Sequence, residues 1–177
     1  GLDLFGKQFG YALRHFCALP MILITTFFFK YLEKKRTLIT TCFSKYLEKK
    51  YDNTSAYPCD VGKIEDFQKT INKIQTDLGP AAVVIHNAPL GTRGPILDLS
   101  YEDLEKNFRV NTTALLILSQ MTLPKMLERK KGTIIVTGNT AAERGKDGWG
   151  FFAASKSAQK ILAESMAREF GPKGIHI

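Results

Sequence analysis

The stretch AAVVIHNA, Ala81 to Ala88, decides the fold. It is a short, nearly continuous apolar run rich in β-branched side chains, the pattern of a strand buried in a parallel sheet. Upstream, KIEDFQKTINKIQTDLG (Lys63 to Gly79) sets Ile64, Phe67, Ile71, Ile74 and Leu78 on one helical face, and Gly79-Pro80 ends that helix. Downstream comes a Gly/Pro-rich loop, PLGTRGP (Pro89 to Pro95). Ser100 and Asp103 then form a capping signal for a long helix, Tyr101 to Lys130, which Pro124 should kink or shorten.

GTIIVTG (Gly132 to Gly138) repeats the buried-strand pattern. A Gly-rich loop with Trp149 leads into the helical segment FFAASKSAQKILAESMAREF (Phe151 to Phe170), which Gly171-Pro172 ends, and GIHI (Gly174 to Ile177) opens another strand. Strands alternating with helices predict an α/β protein with a parallel sheet covered on both faces. Ligands of such sheets bind beyond the C-terminal ends of the strands. Those ends are the loops after Asn87, after Gly138 and around Asp60.

The N-terminal third is less regular. ALPMILITTFFF (Ala18 to Phe29) is too short for a membrane span, which needs ~20 residues. No basic region with a small-residue cleavage site precedes it, so it reads as a buried strand running into a helix rather than a signal peptide. LITTFFFKYLEKKRT from Leu23 is followed at once by LITTCFSKYLEKKYD from Leu38, a tandem repeat within residues 23–52. Two copies do not make a solenoid. A local duplication, or an error in assembling the sequence, accounts for it, and one copy is expected to be surplus to the fold. The 177 residues otherwise suit a single domain, 1–177.

The net charge of +8 comes largely from KYLEKK, present twice, and ERKKG, beside helical patterns. Basic residues near helix C-termini complement the helix dipole and are usually solvated. No zinc-finger spacing or aromatic-interleaved basic groove points to nucleic acid. Cys17, Cys42 and Cys59 lack metal or disulfide spacing, which predicts no metal site and a reducing compartment, the cytoplasm.

Taken in order, CDV (Cys59 to Val61), HNAP (His86 to Pro89), RVNTTA (Arg109 to Ala114), GTIIVTGN (Gly132 to Asn139), FAASK (Phe152 to Lys156) and REFGPKGIHI (Arg168 to Ile177) resemble the short-chain dehydrogenase/reductase superfamily. The resemblance implies a Rossmann-like, doubly wound parallel sheet, here without the first strand and the C-terminal strands. It implies an NAD(P)(H)-dependent oxidoreductase with a small-molecule substrate. Asp60, with Val61 beside it, would contact the adenine, and Asn87 and Ala88 would line the cofactor cleft. Asn111 would hold a water in a proton relay. Lys156 would hold the nicotinamide ribose and lower the pKa of a tyrosine one turn earlier.

Each residue also has a plainer interpretation. Asp60 suits a turn, Asn87 a strand-end amide, Asn111 a helix-interior amide bonded locally, and Lys156 a solvated surface lysine. The departures from the family pattern matter as much. Phe152 fills the slot of the proton-donating tyrosine, and Asn139 that of the substrate-orienting serine. The phosphate loop is represented by Gly6, with Gln8 where a second glycine belongs. Lys45, near the end of the expected second strand at Thr41-Cys42, favours NADP over NAD. Three readings follow: a reductase using another proton source, a non-catalytic nucleotide-binding or dimerisation module built on the two long helices, or a truncated product.

Overall fold

The computed structural model describes residues 21–25, 55 and 57–177. Four parallel strands form its sheet: β1 (Met21–Thr25), β2 (Val83–Asn87), β3 (Gly132–Val136) and β4 (Ile175–His176), in that order across the sheet. The strand expected within ALPMILITTFFF is β1, which runs beside β2 from Met21↔Val83 to Thr25↔Asn87. β3 pairs with β2 from Val83↔Thr133 to His86↔Val136, and with β4 at Gly132↔Ile175 and Thr133↔His176.

The helices are α1 (Ile64–Leu78), α2 (Tyr101–Phe108), α3 (Ala114–Glu128) and α4 (Gly150–Phe170). From β2 to β4 the chain steps in one direction across the sheet. Right-handed crossovers therefore put the connecting helices on a single face. Against that face Phe67 and Ile71 of α1, Leu115, Leu118 and Met126 of α3, Val84 of β2 and Ile134 of β3 form the buried core. Ile135, one residue along β3 and so on the opposite face, is 40% exposed. The strand-order reversal expected of a doubly wound sheet, the duplication within residues 23–52, and the strands expected to be missing all lie outside the described residues.

Three expectations meet the structure directly. Ser100 caps α2: its Oγ accepts the Asp103 N–H at 3.2 Å and donates to the Asp103 carboxylate at 3.0 Å. Leu78 leaves the predicted apolar face and is 49% exposed, because α1 ends there and the chain turns away at Gly79 (φ 82°). Pro124 does not end its helix, which continues to Glu128. Pro124 and Gln120, whose carbonyl loses its helical donor, both lie on the exposed side, where water replaces the missing bond. The long helix is instead interrupted at Arg109–Thr113 by a π-helical turn between α2 and α3.

One glycine is fixed by the path of the chain. Gly174 has φ 87°, and a Cβ there would collide with the Lys130 carbonyl oxygen, at the point where β4 passes the end of α3.

Candidate active site at the strand ends

The π-helical turn builds the first part of the site. Such turns are rare and recur at functional positions. Asn111 within it is fully buried, and its Nδ2 donates to the Leu90 carbonyl and to Ser155 Oγ, both at 2.8 Å. Its Oδ1 accepts the Leu90 N–H at 2.9 Å. One turn earlier the buried Asn107 donates to Thr92 Oγ1 at 2.7 Å and accepts the Thr92 N–H at 3.3 Å. Two asparagines on one helical face thus hold the loop that follows β2. Ser155 Oγ passes the network on to the Phe152 carbonyl at 3.0 Å, and Thr112 Oγ1 donates to the Ser155 carbonyl at 2.9 Å. Asn111 bonds across the fold and not only within its own helix.

His86, fully buried on β2, lies beneath this corner with Nε2 3.3 Å from the Asn111 carbonyl. Burial pushes its pKa down to about 4; the Asn111 carbonyl opposes that shift and nearby Lys156 adds to it. His86 is therefore neutral at physiological pH. A carbonyl only accepts, so the proton sits on Nε2, and among the described residues Nδ1 has no hydrogen-bond partner.

Lys156 supplies the second part. It is 3% exposed, not a solvated surface lysine, and its Nζ donates to the Thr137 carbonyl at 2.6 Å, just past β3. Burial alone lowers its pKa to about 8. The Thr137 N–H donates to the His86 carbonyl at 3.0 Å, which closes a ring through β2, β3, the π-helical turn and α4. Lys156 also lines a groove of about 210 Å³ with Val136, Gly138, Gln159, Ala163 and Ile177. Gln159 there is 1% exposed, and among the described residues its Nε2 has no acceptor.

The third part is aromatic. Phe152, one turn before Lys156, packs edge-on to Trp149 with ring centroids 5.7 Å apart and planes at 60°. The Arg93 guanidinium sits over the Trp149 ring at 5.7 Å. A Cβ added to Gly91 would lie 3.3 Å from the indole and 3.5 Å from the Phe152 ring. The Gly94 N–H reaches the Gly148 carbonyl at 3.0 Å and joins the two loops over these rings.

The other expected residues are placed differently. Asn139 is exposed and its Oδ1 accepts the Ala141 N–H at 2.8 Å, capping the short turn Thr140–Ala142. Asp60 is exposed and its Oδ1 accepts the Gly62 N–H at 2.9 Å. Val61 is a core residue at 5% exposure. Asn87 ends β2, and Ala88 beside it is 1% exposed. Gly6, Gln8, Thr41, Cys42 and Lys45 lie outside the described residues. Asn111, Phe152 and Lys156 come together; Asn139 and Asp60 serve their own turns. His86, Ser155 and Asn107 complete the corner without having been expected there. The available signal was a histidine within an otherwise apolar strand. Among the described residues no cluster of three or more His, Cys, Asp or Glu suits a metal ion, and no helix is long and apolar enough to cross a membrane.

This motif order stands at the strand ends of a parallel α/β sheet, and residues 31–177 match the family described as short chain dehydrogenase. The chain belongs to that family. A relative from Formosa agariphila, 2-dehydro-3-deoxy-D-gluconate 5-dehydrogenase, is 29% identical over 68% of this chain and 46% of its own length. A short-chain dehydrogenase structure from Streptomyces avermitilis superposes with a TM-score of 0.78 at 21% identity, over 97% of this chain and 58% of that one. A blue fluorescent protein from a metagenomic library, in complex with NADPH, gives 0.71 at 26% identity over 88% and 60% of the two chains. The chain spans about half the length of the first of these relatives.

Proposed function

We propose that the chain binds a nicotinamide dinucleotide across the C-terminal ends of its strands and acts as an NAD(P)(H)-dependent oxidoreductase on a small carbonyl or activated-alkene substrate. The observation that carries this reading is Lys156, buried at the end of β3 with a single protein acceptor for its Nζ among the described residues. An ammonium has three N–H donors, so two remain, one for a ribose hydroxyl and one for a bound substrate. The surroundings fit such a group. Gly138 past β3 is exposed, and among the described residues no atom lies within 4 Å of where its Cβ would stand.

In this reading Asn87 and Ala88 line the cleft, and Asp60 and Val61 flank the adenine end. Lys45 makes NADP the preferred form. When bound, the nicotinamide supplies a hydride. The chain's part is to orient the substrate and move a proton. Asn111 fixes the loop after β2, and through Ser155 it fixes the first turn of α4, which carries Phe152 and Lys156.

A second reading rests on Phe152, whose ring carries no proton to give, and on Asn139, whose amide oxygen already serves Ala141. Without an acid the chain would be a non-catalytic nucleotide-binding or homodimerisation module. Ile161 on α4, 59% exposed, belongs to its dimer face. Either form would work in the cytoplasm.

The deciding measurement is the thermal-unfolding midpoint with and without millimolar NADPH or NADH. A ligand at 100 times its dissociation constant adds ~2.7 kcal/mol to stability. The expected result is a clear upward shift, larger with NADPH. A cooperative melt that neither nucleotide moves would overturn cofactor binding.

A further inference from the structure

The first turn of α4 leaves an oxidoreductase reading with one unanswered demand, a proton for the reduced substrate. Phe152 has none. Ser155 Oγ donates to the Phe152 carbonyl and accepts from Asn111. The Asn139 amide is exposed and caps its own turn. His86 is fully enclosed and faces the Asn111 carbonyl. Among the described residues Lys156 is the cationic side chain left buried at this corner. It is buried at 3% exposure, with one N–H on the Thr137 carbonyl and the groove alongside it.

We propose that Lys156 is itself the proton donor of the reaction, its ammonium handing an N–H proton directly to the anion left on the substrate. This rests on the oxidoreductase reading above. The hydride reduces the carbonyl or alkene carbon and leaves an alkoxide or enolate oxygen. An N–H bond of Lys156 breaks, an O–H bond forms on that oxygen, and the neutral amine takes a proton from solvent through the groove. The Thr137 carbonyl keeps Nζ in place in both protonation states, since an amine still donates.

The ionisable groups near Lys156 leave it free to cycle. His86 beneath it is neutral. Lys160, one turn on, is held by Glu143 at 2.6 Å and Glu164 at 3.8 Å. Burial alone brings the Lys156 ammonium down to about 8, where it is charged at neutral pH yet releases its proton readily.

Two measurements test this, one of them independent of turnover. Competitive acetylation of the full chain from pH 6 to 11, read by mass spectrometry, gives the titration of each lysine. Lys156 is expected to reach half-reactivity near pH 8, well below the ordinary lysine value of about 10.4. A half-point at that ordinary value overturns the proposal whether or not cofactor binds. NADPH oxidation with a panel of enones and dicarbonyls is the second. Its rate should fall tenfold per pH unit above pH 8. Lys156→Arg, which keeps the charge but does not release a proton, should lose ~10²-fold or more in turnover at saturating NADPH. A variant within threefold of the parent, a flat pH profile, or no oxidation by a parent chain that binds NADPH would each overturn the assignment. Loss of the thermal shift in the parent chain strikes the oxidoreductase reading instead, and the acetylation result then stands alone.

Discussion

Two asparagines divide the strand ends between them. Asn111 is fully buried, and its amide reaches Leu90 and Ser155, residues far off in sequence. Asn139 is exposed, and its amide reaches Ala141, two residues on. Around Asn111 the hydrogen bonds tie β2, the π-helical turn and α4 into one rigid corner. Around Asn139 they shape a single surface turn. A polar side chain whose partners are distant and dry is part of the framework; one whose partner is local and wet is replaceable. The site therefore has a firm half, which positions Lys156, and a loose half, where substrate orientation would have to come from residues already committed to turns.

The largest expected effect falls on the firm half. Asn111→Ala strips the Leu90 N–H and carbonyl of their side-chain partners and Ser155 Oγ of its donor, and should cost about 3 kcal/mol, seen as a lower urea midpoint at unchanged slope. A loss below about 1 kcal/mol would erase the distinction between the two asparagines.

Acid should reach the same corner through His86. Its folded pKa, about 4, lies below the ordinary 6.5, so between those values the unfolded chain binds the extra proton. Stability present above pH 6.5 is lost as pH falls toward 4, by up to about 3 kcal/mol. Melts of His86→Leu over that range should show a shallower decline than the parent. Parallel curves would place the titration elsewhere.

The smallest effect belongs to the loose half. Asn139→Ala removes one exposed cap and should lower stability by about 0.5–1 kcal/mol, with the melting transition still cooperative.

Much of the framework could be read from residue pattern alone. β2 and β3 show as short apolar runs rich in β-branched residues, and α1 announced its buried Phe67, Ile71 and Ile74 by period. Leu78 carried the same period and came out exposed, because periodicity marks a face but not where the core under it stops. Pro124 gave a helix-ending signal that its solvent-facing position cancelled. In the site, the Phe152–Lys156 spacing shows in sequence because both stand on one helix, a turn apart. His86 and Ser155 did not show, since each gains its role from Asn111, which only the finished fold brings near. Burial of Lys156 was hidden for the same reason: a lysine's exposure depends on what the sheet places above and below it.

The π-helical turn at Arg109–Thr113 also acts as a phase shifter. An α-helix advances about 100° per residue, so the extra residue in that turn sets the angular offset between α2 and all of α3. Deleting one residue there would leave a smooth helix of nearly the same length but swing Leu115 and Leu118 away from the sheet. Asn107 and Asn111 would no longer meet Thr92 and Leu90 together. Surface loops absorb insertions and deletions, but in this stretch the number of residues matters to the fold as much as the identity of any side chain.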